Sequence, residues 1–77
     1  MTSSSAAAQA YDRLVHGLTV GRYAVGTRLP GERSLAAEIG VSRATLRVAL
    51  GRLESEGALQ RSAQRGWFVP RQLIGEP

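Results

Sequence analysis

Arg43 and Arg47 stand one helical turn apart, just after the break Gly40-Val41-Ser42, in the stretch LPGERSLAAEIGVSRATLRVALGRLESEG between Leu29 and Gly57. A guanidinium pairs with phosphate and donates bidentately to guanine O6 and N7, so two arginines at the start of a helix can read nucleic acid. Further basic residues extend this chemistry. Arg61, Arg65 and Arg71 follow Gly57 in a stretch free of acids, which suits tracking of a phosphate backbone.

Other chemistries find no support. His16 is the sole histidine and has no partners for a metal or for proton transfer. Glu54 and Glu56 are two apart and do not share a helix face. No glycine-rich phosphate loop opens a helix after a strand, so no catalytic residue, metal ligand or cofactor is expected. With no cysteine there is neither a disulfide framework nor a thiolate site, which points to a reducing, cytoplasmic location.

The 77 residues suffice for one domain. Ten arginines, no lysine and six acids give a net charge of +4 and a pI near 11.1, favouring an anionic partner. The opening MTSSSAAAQ has neither the cationic start of a signal peptide nor the apolar length of an anchor. Residues 1–8 are expected as a disordered lead-in, 9–71 as the folded domain and 72–77 as the start of a linker.

The elements that position the arginines follow from spacing. Ala7, Tyr11, Leu14 and Leu18 make an apolar stripe, predicting a first helix from about Ala7 to Val20 that Gly21 ends. Gly21, Gly26 and Pro30 then enforce a connector, with Tyr23 and Val25 expected to plug the core and Thr27-Arg28-Leu29 to form a short extended strand. Leu35, Ala36 and Ile39 mark a second helix ending at Gly40. Ser42 offers the N-cap of a third, spanning 42–56, whose buried face is Leu46, Ala49, Leu50 and Leu53.

Ala44, Arg47, Val48 and Gly51 lie opposite those leucines, with Arg43 at the boundary. Small Ala44 and Gly51 permit close approach to a duplex. Gly51 costs about 1 kcal/mol against Ala inside a helix, for which close packing on helix or backbone is the plain explanation. Beyond Gly57, a β-hairpin is predicted with strands starting near Ala58 and Trp67 and a tip near Arg65; Trp67 is expected to pack. The fold class is α+β, a winged helix-turn-helix of three helices and a C-terminal hairpin.

From Tyr11 to Val69 the chain resembles the N-terminal domain of the GntR-type bacterial transcription regulators. The resemblance rests on Tyr11, Leu14, Gly21, Tyr23, Gly26, RLPGERSLAAEIGVSRATLRVAL, LESEGAL and RGWFV. The closing QRGWFVPRQLIGEP is most similar to the HutC-like branch, whose members continue into a small-molecule-sensing domain. Two positions depart from the family: Gly31 replaces the usual Ser, weakening the cap of the second helix, and Trp67 replaces a frequent Thr.

The resemblance implies a sequence-specific DNA-binding module of a regulator, a repressor, with Arg33, Ser42, Arg43, Ala44, Thr45 and Arg47 on the operator surface. Arg65 and Gly66 would lie at the wing tip by the minor groove. The implied partner is double-stranded DNA with a palindromic operator, bound by a dimer formed through a second domain, the isolated domain being monomeric. A winged helix serving only protein–protein interaction is the alternative, and it predicts an apolar patch on the third helix in place of arginine. A membrane-surface role ranks last, because the third-helix leucines are needed for the core. Arg33 has a competing use as an ion-pair partner of Glu32 or Glu38.

Overall fold

The computed structural model describes residues 5–62 and 66–71. Helix α1 spans Ala6–Thr19, α2 Glu32–Ile39 and α3 Arg43–Ser55; strands β1 (Gln60–Ser62) and β2 (Gly66–Phe68) complete the order ααα–ββ. The winged helix-turn-helix expected from the spacing is the fold observed.

Helix α1 starts earlier than expected, because the Ser5 hydroxyl accepts the Ala8 N–H at 3.0 Å and caps an alanine-rich first turn. Residues 6–8, expected within the lead-in, are therefore helical. The helix ends as predicted, with Gly21 at φ 84°. Between α2 and α3, Gly40 takes φ 89°, and the N–H groups of Gly40 and Val41 both return to the Ala36 carbonyl at 2.8 and 3.0 Å. The chain can thus reverse within three residues and restart at Ser42.

Leu14 of α1, Leu35 of α2 and Leu46, Leu50 and Leu53 of α3 are almost wholly buried, and Leu29, Leu59, Trp67 and Val69 close the core beneath the wing. Each such leucine contributes about 1.5–3 kcal/mol of burial. The four α3 residues predicted to face inward all do.

Strands β1 and β2 pair antiparallel in the register Gln60↔Phe68, Arg61↔Trp67 and Ser62↔Gly66. On the other edge of β2, Arg28 bridges Phe68, while Leu29 N–H bonds the Trp67 carbonyl at 2.8 Å and Val69 N–H the Thr27 carbonyl at 2.9 Å. The 27–29 segment, expected as a short strand, thereby adds an isolated antiparallel bridge to a two-stranded sheet. Strand β1 begins at Gln60 rather than near Ala58, because the Ala58 and Leu59 N–H groups still return to the Leu53 carbonyl across Gly57, at φ 84°.

Tyr23 is buried as expected, but Val25 is not: it is 58% exposed. The cause is a turn in which Thr27 bonds the Ala24 carbonyl through both its N–H and its hydroxyl, lifting Val25 to the tip. Tyr23 instead reaches α1, where its ring lies against Gly17.

Candidate nucleic-acid interface

The sequence of α3 turns one face into the core and so forces Arg43, Ala44, Arg47 and Val48 outward, all four exposed. Ser42 caps the helix with an extended backbone; its Oγ accepts the Thr45 N–H at 3.0 Å and lies 2.9 Å from Thr45 Oγ1, to which it donates. This uses the Ser42 proton internally and leaves the Thr45 hydroxyl proton available to an acceptor outside. The first turn of α3 also offers uncommitted backbone N–H groups and the positive end of the helix dipole.

Arg43 and Arg47 are not loose charges. Glu32, the first residue of α2, accepts from Arg43 Nε at 3.2 Å and lies 3.8 Å from Arg47 Nε, through the same oxygen, Oε1. Its other oxygen accepts the Trp67 indole N–H at 2.8 Å. The Trp67 hydrogen bond is the main cause holding the Glu32 carboxyl below its ordinary range; partial burial opposes it, and the two arginines add to it. The guanidinium ends stay open to solvent, with the two side chains 57% and 52% exposed.

Arg33 is exposed on the following position of α2 and makes no ion pair with a described residue, neither Glu32 nor Glu38. The carboxylate that sequence offered to Arg33 serves Arg43 and Arg47 instead. Gly66 is exposed at φ 84° and opens β2 opposite Ser62, next to Trp67 and hence to Glu32. Arg65, expected at the wing tip, lies outside the described residues, as does the 72–77 linker.

Other arginines are committed elsewhere. Arg52 stacks over the Tyr11 ring at 4.0 Å and pairs with Glu56, which also accepts the Tyr11 hydroxyl at 2.5 Å and thereby raises its pKa. Arg61 lies over the Trp67 ring at 4.6 Å and pairs with Glu54 at 3.6 Å. Trp67 itself is 2% exposed, packing as expected.

Gly51 contradicts its expected explanation. A Cβ built there meets nothing within 4 Å, so no internal packing requires glycine. The space lies outside the protein, on the face shared with Ala44 and Arg47. Among the described residues no group of acids and histidine could hold a metal, and no helix is long and apolar enough to cross a membrane.

From the sequence Glu32 was named only as a possible partner of Arg33, and its role beside Arg43, Arg47 and Trp67 was missed; its place in the first turn of a helix, where an acid suits the dipole, is the one local signal it carries. Its partners lie 11, 15 and 35 residues away, and no local pattern connects them.

Three helices with a short tight turn before the third, an exposed basic face on that helix and a hairpin wing define a winged helix-turn-helix of the DNA-binding class. Residues 6–69 match the family described as bacterial regulatory proteins, gntR family. The chain belongs to the GntR family. It is 39% identical over 67 residues to the uncharacterised HTH-type transcriptional regulator YihL of Escherichia coli K12, covering 87% of this chain and 28% of that protein. To YcbG of Bacillus subtilis 168, another such regulator, it is 39% identical over 71 residues, covering 92% and 30%. The chain thus spans under a third of these relatives. Among solved structures, the DNA-binding domain of AraR in complex with operator ORX1 superposes with a TM-score of 0.80 at 31% identity, covering 87% of this chain and 81% of that one. The N-terminal domain of AraR with mutant ORR3 gives a TM-score of 0.82 at 30% identity, covering 90% and 99%.

Proposed function

We propose that this chain is the operator-binding module of a cytoplasmic bacterial transcriptional repressor, of the HutC-like branch, with no enzymatic activity of its own. Helix α3 enters the major groove. Arg43 reads a base edge, Arg47 a base or phosphate, and Arg33, Ser42 and Thr45 position the backbone. Ala44 lets the helix approach. Arg65 and Gly66 of the wing reach the minor groove, where charge matters more than sequence.

The observation that carries this reading is the presentation of Arg43 and Arg47, both more than half exposed, with Nε toward Glu32, beside small Ala44 and an unfilled space at Gly51. A protein-docking winged helix needs an apolar patch there, whereas Val48 is the only large hydrophobic exposed on α3 among the described residues. One such domain buries little surface, so the module works as half of a dimer on a palindrome, joined through its 72–77 linker to a further domain.

Selection of bound duplexes from a random pool tests the proposal. It predicts enrichment of one short motif, and affinity that falls as salt rises with several phosphates' worth of slope. Recovery of an unenriched pool, or salt-independent binding, overturns it.

A further inference from the structure

Glu32 lies where α2, α3 and the wing meet, and its two oxygens have separate duties. Oε2 takes the Trp67 indole N–H of β2, and Oε1 gathers the Nε atoms of Arg43 and Arg47. The carboxylate side chain is only 18% exposed, whereas both arginines are more than half exposed. The anchor is covered and the groups it anchors are not.

That geometry has consequences for recognition. A guanidinium offers several donor edges, and a bond through Nε leaves the end-on pair of Nη atoms, the edge that matches guanine O6 and N7. Without a carboxylate, two cations this close repel one another, and their long side chains sample many rotamers whose entropy must be lost on binding. With it, much of that ordering is already present in the free protein, so a correctly placed base gains more than a misplaced one. The same negative charge opposes phosphate and therefore weakens contacts made with any duplex regardless of sequence. Ion pairs made by cations as exposed as these add little to stability, so fold stability alone does not account for the arrangement.

We propose that Glu32 is a positioning residue of the DNA-reading surface, holding Arg43 and Arg47 by Nε and the wing by Trp67 so that the domain discriminates its chosen duplex from random DNA. This rests on the DNA-binding reading above. Discrimination, more than affinity, is what the carboxylate supplies.

The test compares wild type with Glu32→Gln, which keeps an acceptor oxygen for Trp67 but removes the charge, and with Trp67→Phe, which removes the indole donor together with part of a buried ring. Affinities are measured on the duplex selected above and on a random duplex of equal length. In Glu32→Gln, random-duplex affinity should rise and the selected-to-random ratio should fall about tenfold, within what one bidentate base contact supplies. Trp67→Phe should lower the ratio less. In the free wild type, nitrogen-15 NMR should show the Arg43 Nε–H set apart from exposed arginines, and the Gln variant should return it to their average.

A Glu32→Gln ratio within twofold of wild type overturns the proposal, as does an Arg43 Nε–H already averaged in wild type. The latter needs no variant to fold. If wild type itself fails to prefer the selected duplex, the DNA-binding reading fails first, which is a distinct result.

Discussion

Replacing Gly17 by Ala and Gly51 by Ala makes the same chemical change in two helices, and the structure assigns the two variants opposite signs. Gly17 is buried in α1 under the Tyr23 ring, and a Cβ there would stand 2.6 Å from Cδ2 and 3.2 Å from Cζ. Carbon atoms prefer roughly 3.5–4.0 Å. The ring cannot simply retreat, since Tyr23 is 8% exposed and its own N–H bonds the Gly17 carbonyl at 3.2 Å. Overpacking of this sort costs about 1–3 kcal/mol, against which Ala returns about 1 kcal/mol of helix propensity. Gly17→Ala should therefore lose about 1 kcal/mol net, or roughly 4–8 °C in melting midpoint for a domain of this size. At Gly51 no atom lies within 4 Å and the backbone is ordinary helix, so Gly51→Ala should gain up to about 1 kcal/mol. Thermal melts followed by far-ultraviolet circular dichroism measure both. A Gly17→Ala midpoint at or above that of Gly51→Ala would refute the packing argument. If Gly51 is kept empty for the duplex, its stabilised variant should also bind DNA more weakly.

Ser42→Ala should cost about 1 kcal/mol through the lost cap of α3, read as a lower melting midpoint; an unchanged midpoint would show that the Thr45 N–H bond contributes nothing. The Glu32 carboxyl is held below its ordinary value in the folded chain, chiefly by Trp67. Its contribution to stability is therefore fully present above the unfolded glutamate value of about 4.3 and lost as pH falls through the lower folded value. The midpoint difference between wild type and Glu32→Gln should narrow over that acid range, and a pH-independent difference would contradict the assignment. Arg65→Ala should weaken binding to selected and random duplexes by similar factors and flatten the salt dependence by up to about one contact; an unchanged slope and affinity would place the charge away from DNA.

Much of this was legible in the sequence because it is local. The leucines of α3 fall on one face by simple periodicity, Gly40 stops a helix by adopting a left-handed conformation, and Ser42 caps the next within three residues. What was not legible depends on residues far apart in the chain. Val25 has the composition of a core residue, but the turn closed by Thr27 on Ala24 turns it outward. The fit of Tyr23 on Gly17 requires knowing how the connector folds back on α1. Likewise, Arg43 and Arg47 were identifiable by type and position, while the carboxylate that orients them was offered by proximity in sequence to Arg33, which does not pair with it. Gly51 shows the reverse case: propensity flagged it, and only the structure showed that its empty space faces outward.

If the exposed start of α3 reads bases through Arg43, the affinity of Arg43→Ala for the selected duplex and for a random one, at the same salt, must show it. Its side chain is 57% exposed and, among the described residues, pairs with Glu32 alone, so its removal should leave the fold intact. The expected result is a loss of about 1–3 kcal/mol on the selected duplex, a smaller loss on the random one, and relaxed preference at one base pair. Equal losses on the two duplexes, or no loss on either, would contradict it.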